Sequence, residues 1–321
     1  MSVLEVESLH VQLPTPNGDV TIVDGVDYAV EAGEVLGVAG ESGSGKTISM
    51  LALLGLLPER STVQGTARFE GRDLITMPRR ELRDIAGRDL AMVFQDPFTS
   101  LHPMLSVGKQ LTEHVRRHLH LDRAAADRRA VELLEDVRIP DPEAALRAFP
   151  HHFSGGMRQR IAIAIALACR PKLLIADEPT TALDVTVQAG ILRLLDRLRR
   201  EHELAVILIT HDLGVLSSIA DRVSIFYAGR VVESGAREAV LTHPRHPYTH
   251  ALLDALPHPE VSKERPLVAI GGSPPAPGRL PSGCAFNPRC AHAVETCRSD
   301  VPPLVVAGDR RLACPVDPFA G

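Results

Sequence analysis

The segment Gly40-Glu41-Ser42-Gly43-Ser44-Gly45-Lys46-Thr47 constrains this chain more than any other, because it fits the spacing G-x-x-x-x-G-K-[ST]. Glycines at those positions let the backbone curl so that successive N–H groups face an anion without Cβ clashes. A helix starting near Lys46 turns its positive end on the same anion. Lys46 then reaches the β- and γ-phosphates of a nucleotide, and Thr47 offers its hydroxyl to Mg²⁺. The plain alternative is a Gly-rich turn; the four fixed positions arise by chance in a chain this long on the order of one time in a hundred. Context favours the phosphate loop: Glu34–Ala39 reads as an apolar strand before it, and Ile48–Leu57 as a helix after it, stopped by Pro58.

With 321 residues, a prior of roughly 150 residues per domain predicts two domains. Hydrophobic residues make up 45% and charged residues 23%, the balance of a folded globular protein rather than a disordered chain. The net charge of −5 provides no bulk basic field for nucleic acid, and three Tyr, eight Phe and no Trp leave little to stack bases on. The longest apolar run, Ile161–Cys169, is too short for a membrane helix, and the start shows no basic region followed by an apolar stretch. The expectation is a soluble, cytoplasmic chain that does not bind nucleic acid. Its tail differs from its body: Cys284, Cys290, Cys297 and Cys314 all fall in the last 38 residues, and 14 of the 25 Pro lie beyond His243.

Val3–Leu13 and Val20–Val30 predict strands joined by a Pro- and Gly-containing turn, with further strands at Thr66–Glu70 and Leu90–Gln95. From Ser106 to Phe149 apolar residues recur at helical spacing (Leu111, Val115, Leu119; Val131, Leu134), which predicts an inserted helical subdomain. Helix Met157–Cys169, strand Lys172–Ala176, helix Val185–His202, strand Ala205–Thr210, helix Gly214–Ala220 and strands Arg222–Tyr227 and Val231–Glu233 follow. Continuous apolar strands alternating with helices predict a mostly parallel sheet. Beyond Leu241 the chain reads as irregular, with Arg265–Ser282 extended.

A phosphate loop needs a carboxylate for Mg²⁺, and Leu173–Ala176 is an apolar strand delivering Asp177 to that role. Glu178 is then placed to orient or deprotonate the attacking water. Taken alone, the pair reads equally well as helix N-terminal acids. Three weaker positions join them. Gln95 ends a strand with an amide able to ligate Mg²⁺ or water. His211 ends a strand with a ring able to meet a γ-phosphate, although a His there is more often structural. Ser154-Gly155-Gly156 opens a helix as a second anion-binding N-terminus.

The order of these motifs resembles the ATPase subunit of an ABC transporter over roughly residues 1–240. Gly40–Thr47 is similar to the Walker A motif, Gln95 to the Q-loop, and Ser154-Gly155-Gly156-Met157 to the ABC signature. Asp177 and Glu178 resemble the Walker B aspartate and catalytic glutamate, Ala182-Leu183-Asp184 the D-loop, and His211 the switch histidine. The resemblance implies a P-loop NTPase (RecA-like) α/β core with an antiparallel β subdomain, a helical subdomain over about 98–165, and a Cys/Pro-rich C-terminal extension over 241–321. It also implies two subunits that sandwich ATP head to tail, with Gln95 and a surface near Pro97–Ser106 linking the nucleotide to a membrane subunit. The signature departs from the usual form at Phe153 and Met157, outside the Ser-Gly-Gly. No aromatic lies near Val11-Gln12-Leu13, where the family stacks adenine, so Leu13 or Val20 is expected to supply apolar contact.

His246-Pro247-Tyr248-Thr249 and the cysteine motif resemble the C-terminal extension of the oligopeptide/dipeptide importer group. The resemblance implies two membrane permease subunits, a second ATPase subunit, an extracytoplasmic solute-binding protein and peptide-like cargo. The alternative, a soluble ABC-type ATPase in DNA repair or translation, usually carries two cassettes or long insertions, which this chain lacks. A cytoplasmic chain does not readily keep disulfides, so four clustered Cys suggest metal. Their spacing, C-x5-C-x6-C-x16-C, leaves [4Fe–4S], zinc and unliganded thiols open. The importer resemblance implies a [4Fe–4S] cluster on Cys284, Cys290, Cys297 and Cys314. Cys169 is expected to be a buried small hydrophobe. The His- and Arg-rich stretch Glu113–His120 is expected to be the solvated face of a helix rather than a metal site.

Overall fold

The computed structural model describes residues 2–96, 100–180, 183–256 and 269–319. Its strands, in chain order, are β1 (Ser2–Thr15), β2 (Gly18–Glu31), β3 (Val35–Ala39), β4 (Thr62–Phe69), β5 (Arg72–Asp73), β6 (Leu90–Val93), β7 (Leu173–Asp177), β8 (Ala205–Ile209), β9 (Arg222–Tyr227), β10 (Arg230–Ala236), β11 (Val305–Ala307) and β12 (Arg310–Leu312). The chain divides into two compact units. One comprises residues 1–3, 30–35 and 76–209; the other comprises 4–29, 36–75 and 210–321.

The first unit carries the parallel run β8-β7-β6, in which Met92 pairs with Ile175 and Ile175 with Ile207. Every residue of β7 and β8 is buried, as expected for a parallel sheet covered on both faces, so both read as unbroken apolar runs. Helices stand where the sequence predicts them, as Val107–Leu119, Arg123–Asp136 and Pro142–Arg147 between Ser106 and Phe149, and as Gly155–Ala166 close to the predicted Met157–Cys169. Ser106, Asp122, Asp141 and Ser154 cap them by accepting from the backbone N–H three residues on. Leu111, Val115, Ala130, Leu133 and Leu134 form the buried faces, and full burial of each Leu or Val is worth about 1.5–3 kcal/mol.

The second unit carries the four-stranded sheet β2-β1-β4-β5 and the run β3-β9-β10-β12-β11. β1 and β4 pair antiparallel, whereas β3 and β9 pair parallel, with Ala39 opposite Ile225.

Three expectations need correction. The helix after the phosphate loop ends at Leu53 rather than Leu57, because Gly55 takes φ +64°, a left-handed stop. The tail is less irregular than its composition suggests: it holds the helix Pro247–Asp254, and β12 adds to the sheet with Glu233 opposite Leu312. His114 leaves the solvated face of its helix; its Nε2 lies 2.9 Å from the Gly87 carbonyl and its ring packs on His118 at 4.8 Å. Burial lowers its pKa. Of the stretch predicted to be extended, residues 265–268 lie outside the described residues. Among the described residues, no helix is long and apolar enough to cross a membrane.

Candidate functional site

In the second unit, β3 delivers the chain into the loop Gly40–Gly45, and the helix Lys46–Leu53 carries it away. Glycine is required where the loop turns. Gly40 takes φ +145°, and a Cβ there would stand 2.1 Å from the Phe226 carbonyl oxygen; at Gly45 (φ +99°) it would stand 2.9 Å from that of Ile22. The loop is tied down at Ser44, whose carbonyl accepts from Gly229 N at 3.0 Å. Lys46 is buried, yet its Nζ donates to Gly40 O (2.7 Å), Glu41 O (2.8 Å) and Ser44 Oγ (3.2 Å). An ammonium held among loop carbonyls, beside a helix N-terminus with no acid in its first turn, is suited to a polyanion. Thr47 lies half-buried in that first turn. His211, after β8, is exposed and precedes Asp212, which caps the helix Leu213–Ile219.

The acidic residues belong to the first unit. Asp177 ends β7 and is buried. Glu178 follows with φ +45° and its N–H donates to Ile209 O at 2.9 Å, so its backbone leaves the strand in a left-handed kink. Gln95, just after β6, donates from Nε2 to Glu178 Oε2 at 2.7 Å. Two residues 83 positions apart thus converge because β6 and β7 are parallel neighbours. Carboxylate and amide oxygens here are hard donors of the kind Mg²⁺ takes.

Ser154 caps the twelve-residue helix Gly155–Ala166, its Oγ accepting from Met157 N at 3.3 Å. Gly156 is spatially enforced as well, since a Cβ would meet Val187 Cγ1 at 2.5 Å. Asp184 caps the helix Val185–His202 through Val187 N at 2.9 Å. Ala182 lies outside the described residues.

Cys284, Cys290, Cys297 and Cys314 line one small cavity with His246 and Phe286, and none is in a disulfide. Burial raises the thiol pKa of Cys284, Cys290 and Cys314. Among the described residues, however, no three His, Cys, Asp or Glu side chains are grouped as a metal ion requires. The expected [4Fe–4S] donors therefore share a cavity without forming a metal-holding geometry. Cys169 is buried and its thiol is pushed up to about 11, which suits a small hydrophobe.

Sequence reasoning missed Arg289 and Tyr248. Arg289 binds both carboxylate oxygens of Glu41, at 2.7 and 3.0 Å, and Tyr248 Oη accepts from Glu41 N at 2.9 Å. The available signal was the acid itself: a Glu in an anion-binding loop calls for a counter-cation.

The family model described as ABC transporter matches residues 23–181, and that described as Oligopeptide/dipeptide transporter, C-terminal region, matches residues 232–297. The oligopeptide transport ATP-binding protein OppD of Salmonella typhimurium is 49% identical over 312 residues, covering 97% of this chain and 92% of the relative. The dipeptide transport ATP-binding protein DppD of Escherichia coli is 46% identical over 312 residues, covering 97% and 95%. Among solved structures, the cassette MJ0796 bound to ADP and Pi superposes with a TM-score of 0.65 at 24% identity, over 73% of this chain and 98% of that one. The cbiO1 structure from Clostridium perfringens superposes with a TM-score of 0.64 at 27% identity, over 75% and 91%. The chain belongs to the ABC transporter ATP-binding proteins, in the group that carries the oligopeptide/dipeptide transporter C-terminal region.

Proposed function

We propose that this chain is the ATP-hydrolysing subunit of an importer for peptides or similar small solutes. The observation that carries the reading is Lys46, buried with its ammonium among the carbonyls of a glycine-shaped loop. The loop Gly40, Glu41, Ser42, Gly43, Ser44, Gly45, Lys46 and Thr47 holds the phosphates of ATP, Glu41 as part of the loop and not through its carboxylate. Thr47, Gln95 and Asp177 would hold Mg²⁺, which would supply charge neutralisation to the phosphates. Glu178 orients the attacking water and takes its proton, while Gln95, bonded to Glu178, reports occupancy to the docking surface near Pro97–Ser106. Residues 97–99 of that surface lie outside the described residues. His211 contacts the γ-phosphate. Ser154, Gly155 and Gly156 of a second ATPase subunit close on the nucleotide with their helix N-terminus, and Asp184 lies at that junction. The solved MJ0796 cassette is dimeric, which supports this assembly.

The partners on this reading are two membrane permease subunits, a second ATPase subunit, identical or homologous, and an extracytoplasmic solute-binding protein reached through the permease. The place of work is the cytoplasmic face of the membrane. Peptide cargo is supported by the names of the relatives, and the C-terminal match favours transport over DNA repair or translation. Residues 1–240 form the cassette, with the helical subdomain over about 98–165, and 241–321 the extension. Glu178→Gln is expected to bind ATP and remain a closed dimer without turnover; near-normal hydrolysis by that variant, measured as phosphate release, would sink the assignment.

The four extension thiols share one cavity without a metal-holding arrangement among the described residues, so their reading as donors of a structural [4Fe–4S] staple rests on the importer-group resemblance alone. Stoichiometric iron and acid-labile sulfide in anaerobically purified protein are expected. Finding neither returns the residues to plain thiols.

A further inference from the structure

Glu41 is an anomaly in a loop that accommodates a triphosphate, because its carboxylate opposes the charge of the ligand. The chain answers it from a distance of 248 residues. Arg289 Nη1 and Nη2 bind Glu41 Oε2 and Oε1 at 2.7 and 3.0 Å, a two-pronged pairing. The guanidinium is fixed on its other sides. Nε donates to Gly271 O at 2.8 Å, Nη1 approaches Tyr227 Oη at 3.3 Å, and the rings of Tyr227 and Phe286 lie 5.8 Å away. Its side chain is 5% exposed and that of Glu41 25%. The backbone of Glu41 is held as well: its N–H donates to Tyr248 Oη at 2.9 Å, and its carbonyl accepts from Lys46 Nζ at 2.8 Å. Tyr248, Tyr227 and Phe286 form one aromatic cluster, with centroids 4.5–5.3 Å apart. Phe286 and Arg289 both fall between Cys284 and Cys290.

We propose that Arg289 is a positioning residue for ATP binding: from the cysteine-bearing extension it neutralises Glu41 and, with Tyr248, holds the phosphate loop open to a triphosphate. The extension is thereby part of the nucleotide site and not only an appendage to it. Removing the arginine leaves a carboxylate facing the incoming phosphates and frees it to compete for Lys46. The loss falls on ATP affinity and KM, and kcat follows only weakly, because no reacting atom is touched. The inference rests on the reading of Gly40–Thr47 as a triphosphate site.

The test is equilibrium binding of MgATP to the full chain and its variants, with folding followed by thermal melting. Arg289→Gln is expected to weaken MgATP binding about tenfold, the effect of one uncompensated charge at a partly exposed site. Arg289→Lys, which keeps the charge and loses the fork, is expected to stay within about threefold. In the Glu41→Gln background the same Arg289→Gln change is expected to cost less than about twofold, because no opposing acid remains. A merely structural arginine would not be rescued in this way. Unchanged binding by Arg289→Gln, or an equal loss with and without Glu41, would overturn the proposal. If the unaltered chain fails to bind MgATP, or binds it equally well after Lys46→Ala, the phosphate-loop reading fails instead.

Discussion

His246 is fully buried, and its neutral ring serves two bonds. Nδ1 accepts from Tyr248 N at 3.1 Å, which caps the helix Pro247–Asp254, and the ring also bonds the Ala313 backbone. Burial pushes its pKa down to about 3 from an ordinary 6.5. The sign follows directly. Below pH 6.5 the unfolded chain takes up a proton that the folded chain refuses, so this contribution to stability is complete above 6.5 and is lost as pH falls toward about 3. The slope from one such group is at most about 1.4 kcal/mol per pH unit. Melting temperatures between pH 7.5 and 4.5 are expected to fall less steeply for His246→Asn, which keeps a capping acceptor without the titration. Parallel curves for variant and parent would show that another group sets the slope. Residue type alone did not announce this role: the sequence placed His246 in a resemblance, and only its burial makes it a pH-sensitive cap.

Among elements, those whose burial is local were readable and those whose burial comes from partners were not. β7 and β8 are apolar at every position because both faces are covered, and their bounds follow the hydrophobic run to within a residue. The helix Val185–His202 was predicted at its observed limits, since Asp184 caps it and apolar residues recur along one face. By contrast β11 and β12 are three-residue strands, too short to leave a periodic trace. They exist because β10 offers an edge, with Gly235 pairing with Arg310. The helix Lys46–Leu53 is shorter than its apolar pattern, because Leu56 and Leu57 continue that pattern past Gly55, whose left-handed φ decides the stop. His114 departs from the expected solvated face because helical spacing says which residues share a face, whereas the loop at Gly87 determines what covers it.

At the scale of the molecule, the described residues beyond 240 fall in the same compact unit as the loop Gly40–Gly45. Glu233, on β10, is 0% exposed, and three donors belong to residues beyond 240: Arg310 Nη1, Arg245 N and His246 N, each at 3.0 Å. Ending the chain at residue 240 would strip this buried carboxylate of all three partners, as well as removing Arg289 from Glu41. Leaving a buried charge uncompensated costs about 3–5 kcal/mol, a large part of a domain's whole stability. The shortened chain is expected to melt far lower than the full chain or to accumulate insolubly; equal melting temperatures would show that the extension is dispensable to the cassette. Residues within a few positions of one another suffice to specify the local chemistry: a glycine-rich loop ending in Lys46, an acid-tipped strand, a Ser-capped helix at Ser154 and four spaced cysteines. Folding in three dimensions is what brings Gln95 to Glu178, gathers the four thiols into a cavity and sets Arg289 against Glu41 across 248 residues. Spacing along a chain records local backbone geometry, whereas pairing between distant side chains depends on which strands become neighbours and what the core leaves room for.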